Sequence, residues 1–223
     1  MVTTLRAVGA RSRDERGFTI SELIITMGIT VTVIGAAVAL ATNVQRAYSY
    51  EMSDATVQQE GRFAMDWITR TLASAGSNPY RITVSDCPSN GTAFAALRLD
   101  PNGNGIQDDV RVQADVNPPN GALLGLTGAC TEAGEDVTIA HDIANNQLTR
   151  WDRATEAQAV PVTDQIFTQL RFTYLTAARV ATTTPDQIAY AQVSLSGRSR
   201  SRNTYSGQFT TFTYQSEVRV RAR

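Results

Sequence analysis

Residues 16–45 read RGFTISELIITMGITVTVIGAAVALATNVQ, and this stretch decides the fold. From Leu23 to Gln45 no side chain carries a charge. A bilayer-crossing helix needs about 20 predominantly apolar residues, so the run is long enough to span. Its flanks are unequal. Arg6, Arg11, Arg13 and Arg16 precede it against Asp14 and Glu15, whereas Arg46 alone follows closely, with Glu51 and Asp54 beyond. Positive charge stays on the cytoplasmic side, so the N-terminus is expected in the cytoplasm and everything after residue 45 outside it. Ala39-Leu40-Ala41 has the small-x-small form of a signal-peptidase site, and a plain signal anchor shares the same outline. Neither reading accounts for Glu22, at the start of the apolar run. A carboxylate costs roughly 2.5–3.5 kcal/mol at the centre of a membrane helix, so Glu22 marks a function and needs a partner.

The segment Arg16-Gly17-Phe18-Thr19-Ile20-Ser21-Glu22-Leu23 resembles the class III signal of type IV prepilins and type II secretion pseudopilins. In that family a prepilin peptidase cuts after the glycine and methylates the new N-terminal phenylalanine. A glutamate follows four residues later. The resemblance therefore implies cleavage after Gly17, methylation of Phe18, and a subunit-pairing role for Glu22. The new amine sits at the membrane edge, and the glutamate of one subunit can pair with the amine of its neighbour. A buried charge is tolerated only when paired, which makes Glu22 a register device. Tip subunits of such filaments usually lack this glutamate, so its presence argues against a tip role.

The helical pattern continues past the membrane. Residues 44–75 contain no Pro, and Gly61 is their only Gly. Val57, Ala64, Met65, Ile68, Leu72 and Ala75 recur at helical spacing, and Phe63 and Trp67 are expected in the core with them. Gly76-Ser77-Asn78-Pro79 is a stop signal. One helix over 18–75 would run roughly 87 Å. Beyond it, residues 80–85, 93–99, 110–116, 137–140, 147–151, 166–175, 187–196 and 209–220 show β-rich or alternating patterns. Asn145-Asn146 and Pro118-Pro119-Asn120-Gly121 are turn chemistry, and 117–135 is expected as a surface excursion. The fold class is α+β: a long N-terminal helix followed by an antiparallel β-sheet head. The expected organisation is a basic leader over 1–17 that is removed, a helix over 18–76 that is transmembrane at about 20–42, and an exported β-rich head over 77–223. Residues 54–76, 148–150 and 166–174, with a final strand ending in Arg, resemble PilW-type minor pilins and GspJ-type pseudopilins.

The basic residues are all Arg, with no Lys, and one His and two Cys make up the whole soft-ligand inventory. No His₃ metal site and no paired-CxxC ribbon can be built from it. His141 stands alone, and no GxSxG or glycine-rich phosphate loop is present, so no catalytic residue is assigned and no enzyme is expected. Net charge is −1, but residues 80–190 carry seven Arg against thirteen acids and residues 191–223 six Arg against one. The basic tail holds Arg198, Arg200 and Arg202, then Arg219, Arg221 and Arg223. No aromatic interleaves with them in sequence apart from the nearby Tyr205, so no nucleic-acid partner is expected. A solvated face, or a contact with an acidic neighbouring subunit, is the expected role.

Two further constellations remain. Residues 100–109 read DPNGNGIQDD. Asp100, Asn102, Asn104 and Asp108 place oxygens at the first, third, fifth and ninth positions of an EF-hand-like count, and Gly105 falls where that loop turns. The twelfth position is Arg111 and not Glu, so this is no EF-hand. A calcium loop closed by Asp108 or Asp109 is one reading, and an Asn-Gly hairpin turn is the other. Cys87 and Cys130 both fall in the exported part, where an oxidising compartment favours one disulfide over two free thiols. The bond would close a loop of about 44 residues, worth roughly 4 kcal/mol on the chain-entropy account.

The function expected is a minor pilin-like structural subunit that helps initiate or cap a type IV pilus. The alternatives are a minor pseudopilin of a type II secretion system, or an anchored or secreted calcium-dependent binding module outside any filament. The partners implied are other pilins through the N-terminal helix, the prepilin peptidase and an inner-membrane assembly platform. The location implied is the bacterial inner membrane, single-pass with the head exported, and then the filament. No cofactor is required, calcium aside.

Overall fold

The computed structural model of the chain describes residues 17–79, 94–116, 133–202 and 207–221. It falls into two compact units, 1–49 and 50–223. A helix, α1 (Ile20–Ser74), contributes to both.

In the first unit every described residue from 17 to 49 is exposed. This part of α1 is long and apolar enough to cross a membrane. Its threonines do not break the helix, because their hydroxyls bond back to the preceding turn. Thr26 Oγ1 donates to the Glu22 carbonyl at 2.9 Å, Thr30 Oγ1 to the Thr26 carbonyl at 2.7 Å, and Thr32 Oγ1 to the Gly28 carbonyl at 3.0 Å. Polar groups satisfied within the segment are what hydrocarbon demands.

In the second unit one face of α1 is buried through Val57, Gly61, Ala64, Ile68 and Leu72, a helical repeat. Phe63 is not among them. It is 53% exposed, because three-residue and four-residue steps from Gly61 reach Ala64 and not Phe63. Trp67 is half-buried against the core as expected. After Ser74 the chain turns at Gly76, whose φ of 75° is the left-handed geometry of a helix C-terminus. The Gly76 N–H donates to the Gln113 carbonyl at 3.0 Å, and the Asp115 N–H to the Ser77 carbonyl at 2.7 Å, which ties the helix end to the sheet.

The strands are β1 (Leu97–Leu99), β2 (Asp109–Gln113), β3 (Asp136–Asp142), β4 (Gln147–Asp152), β5 (Val160–Pro161), β6 (Phe167–Leu175), β7 (Tyr190–Arg202) and β8 (Phe209–Arg219). A short 3₁₀ turn spans Pro185–Gln187. The strands form two antiparallel meanders, β1-β2-β3-β4-β5 and β6-β7-β8. Seven of the eight overlap segments expected from sequence. The eighth expectation, residues 80–85, lies outside the described residues, as do leader residues 1–16, residues 117–132 and both cysteines. The addition is β5, two residues pairing with Thr149 and Arg150.

The sheets meet along β6. The Phe172 N–H donates to the Gln107 carbonyl and the Phe167 N–H to the Asn146 carbonyl, both at 2.8 Å. One hydrophobic cluster gathers Ala64, Ile68 and Leu72 of α1 with Val110, Ile139, Leu148, Phe167, Phe172 and Leu195 from both sheets. The helical half after residue 50 thus belongs to the head. β2 is buried on both faces. Val110 and Val112 face the apolar core, while Arg111 forks onto Asp136, with Nε to Oδ1 at 2.7 Å and a terminal nitrogen to Oδ2 at 2.5 Å. Gln113 adds a bond to the same carboxylate at 3.0 Å. These pairings satisfy polar groups that burial would otherwise leave costly.

Candidate functional site

The α+β class expected from sequence is the architecture found. The described residues singled out from the sequence fall on several different elements. Gly17, Phe18 and Glu22 lie at the start of α1. Phe18 is 85% exposed, and a Cβ added to Gly17 would meet nothing within 4 Å. No packing among the described residues therefore calls for glycine there. Glu22 has a local partner that the sequence reading did not assign. Thr19 is the N-cap of α1 and Glu22 stands three residues on. The Thr19 N–H donates to Glu22 Oε2 at 2.9 Å, and the Glu22 N–H donates to Thr19 Oγ1 at 3.3 Å. This is a reciprocal capping box, legible as T-x-x-E. The Thr19 hydroxyl also donates to Glu22 Oε2 at 2.9 Å.

Residues 100–109 join β1 to β2, paired Leu99 with Val110. The Asp100 carboxylate accepts the Asn104 N–H at 3.0 Å on Oδ1 and the Gly105 N–H at 2.8 Å on Oδ2. Asn102 Oδ1 accepts the Asn104 N–H at 2.9 Å, and Asn104 Oδ1 accepts the Ile106 N–H at 2.7 Å. Gly103 and Gly105 have φ of 72° and 78°, which any Cβ would strain. Of the oxygens expected to hold calcium, those of Asp100, Asn102 and Asn104 are thus engaged by the backbone of the turn. Among the described residues no three His, Cys, Asp or Glu side chains converge where a metal could sit.

The base of this turn is less ordinary. Asp109 accepts the Asn102 N–H at 3.0 Å through Oδ2. Its Oδ1, and Oδ1 of Asp108, have no hydrogen-bond partner although the residues are 1% and 3% exposed. Burial pushes the Asp109 carboxyl up to about 6, and the nearby charges of Asp108 and Asp100 push the same way. Tyr174, buried on β6, has its phenol raised by burial and by the charge of Asp109.

His141 is half-buried on β3, with Nε2 3.0 Å from the Phe167 carbonyl across the junction of the sheets. It reads as a structural link. Asn146 takes φ of 53° in the turn between β3 and β4, where the Asn145 amide donates to Asp142 Oδ2 at 2.6 Å. Arg219 and Arg221 alternate outward between buried Val218 and Val220, as the strand period predicts.

The basic tail holds a grouping that sequence spacing did not show. Arg202 pairs directly with Phe209 across β7 and β8. The guanidiniums of Arg198 and Arg202 lie 4.8 Å and 5.0 Å from the centroid of that ring. An aromatic does stand among the arginines, brought there by the hairpin. Comparison of the chain with family models, with curated proteins and with solved structures finds no match.

Proposed function

We propose that this protein is a membrane-anchored, filament-forming structural subunit of the minor pilin kind, processed by removal of a basic leader after Gly17. One observation carries the reading: the apolar first half of α1 is exposed at every residue from 20 to 49, follows a glycine with open space around it, and carries a glutamate in its first turn. An exposed apolar helix is stable in lipid or against other helices. Packing into a bundle of like helices brings Glu22 near the Phe18 amine of a neighbour, and the pair offsets the desolvation of both. A type II secretion pseudopilus is built on the same helix chemistry, and the proposal covers both assemblies.

Intact-mass measurement of the protein from membranes tests this. The expected species starts at methylated Phe18, and Gly17→Glu should leave the leader attached. A wild-type chain starting at Thr42, or an uncut Met1, overturns the reading and favours an ordinary signal peptide or anchor.

A further inference from the structure

A small cleft opens at the end of the second sheet, about 180 Å³ in volume. Its walls include Arg198, Arg200, Asn146, Gln165, Thr168 and Phe209. We propose that this cleft binds a phosphoryl oxyanion, as free phosphate or as the phosphate of a small ester.

Strand pairing supplies the first argument. Between Arg198–Thr211 and Arg202–Phe209 the register advances four positions on β7 and two on β8. Such a bulge re-aims side chains and is common beside binding sites. The strand is also fixed at this point, since the Arg198 N–H donates to the Ile166 carbonyl at 2.8 Å.

Preorganisation is the second argument. Arg198 and Arg202 both lie on the Phe209 ring. A stacked guanidinium keeps its N–H edge free while losing rotamer freedom in advance, so less entropy is lost when an anion arrives. Arg200 is held by Asp164 at 3.1 Å, with both side chains more than half exposed. An exposed pair of this kind is weak and leaves guanidinium donors available to an incoming anion. Glu60 lies beside Asp164 and adds a second carboxylate near Arg200.

Donor chemistry is the third. Among the described residues, the Asn146 and Gln165 amides and the Thr168 hydroxyl have no side-chain hydrogen-bond partner. Two guanidiniums with three neutral donors around one small space suit a tetrahedral dianion, which has more acceptor atoms than a carboxylate. The cleft is smaller than the roughly 300–1,000 Å³ of whole-ligand pockets, so it fits a group and the atoms bonded to it. The site stands whether or not the chain enters a filament.

Titration calorimetry of the detergent-solubilised full chain, at fixed ionic strength in chloride, tests it with inorganic phosphate and with ribose 5-phosphate. Saturable phosphate binding is expected, weakened about tenfold or more by Arg198→Gln or Arg200→Gln and unchanged by Arg219→Gln on the far end of β8. Tighter binding of ribose 5-phosphate than of phosphate assigns the site to an ester, and equal binding assigns it to the free anion. Phosphate heat no different from that of added chloride overturns the proposal. So does an equal loss in Arg219→Gln, which would reduce the effect to net charge. Thermal melting of each variant without phosphate, expected to match the wild type, separates loss of binding from loss of fold.

Discussion

Gly61 of α1 lies so close to the ring of Phe212 on β8 that a Cβ at this position would fall 2.7 Å from Cε2. Tyr214 Cε2 would be 2.6 Å away on the next inward position of the strand. Phe212 also stands edge-on to Phe167, with ring centroids 5.7 Å apart, and a Cβ on Gly197 would overlap it from β7. Two glycines thus make room for one ring, and the helix reaches the sheet through that gap.

Gly61→Ala is therefore expected to destabilise the head, against the ordinary preference for Ala in a helix. Propensity favours Ala by about 1 kcal/mol, while overpacking a filled core costs typically 1–3 kcal/mol, so a net loss of up to about 2 kcal/mol follows. Phe212→Leu in the same chain should recover part of it, a coupling a double-mutant cycle reads directly. Chemical melting of the solubilised protein measures both. A Gly61→Ala protein more stable than wild type would show that the rings give way freely.

How much of this was legible follows from what each signal depends on. The stripe Val57, Ala64, Ile68, Leu72 was legible because helix period alone sets it. Phe63, expected in the core, is exposed because its phase on the helix lies off the stripe that Gly61 and Ala64 share. The turn at 100–109 was legible as Asn-Gly chemistry, yet the capture of Asp100 by two backbone N–H groups depends on the loop closing. β5 left no trace, since two residues ending in Pro carry no alternation. Phe209 among the arginines depends on a register shift of β7 on β8, and no local pattern encodes that.

Glu22 has two separable roles, and two substitutions distinguish them. Gln at the third helical position still completes a capping box with Thr19, whereas Ala does not. Glu22→Gln should therefore keep the helix start and the cleavage after Gly17, yet lose the charge available to a neighbour's amine. Incorporation into purified filaments is expected to fall in Glu22→Gln nearly as far as in Glu22→Ala. Normal incorporation of Glu22→Gln alongside a defect in Glu22→Ala would assign the residue to capping alone.

The last prediction concerns Asp109, whose carboxyl is pushed up to about 6 from an unperturbed 3.8. Between those values the folded chain binds more protons than the unfolded one, so stability falls as pH rises through the interval. The contribution is complete below about 4 and lost above about 6. Asp109→Asn keeps an oxygen for the Asn102 N–H and carries no charge, so it should raise the melting temperature at pH 8. At pH 4 the two proteins should melt alike, since Asp109 is then neutral in the folded wild type. Calcium sharpens the test. Asp100, Asn102 and Asn104 already accept backbone N–H groups, so an ion has to displace or share those bonds. Millimolar calcium and chelator are expected to give the same wild-type melting temperature at pH 8. A rise in calcium that magnesium does not reproduce, and that Asp109→Asn abolishes, would return these oxygens to the role of a cation site. Equal melting of Asp109→Asn and wild type across pH 4 to 8 would show that the carboxyl reaches water and that its burial costs nothing.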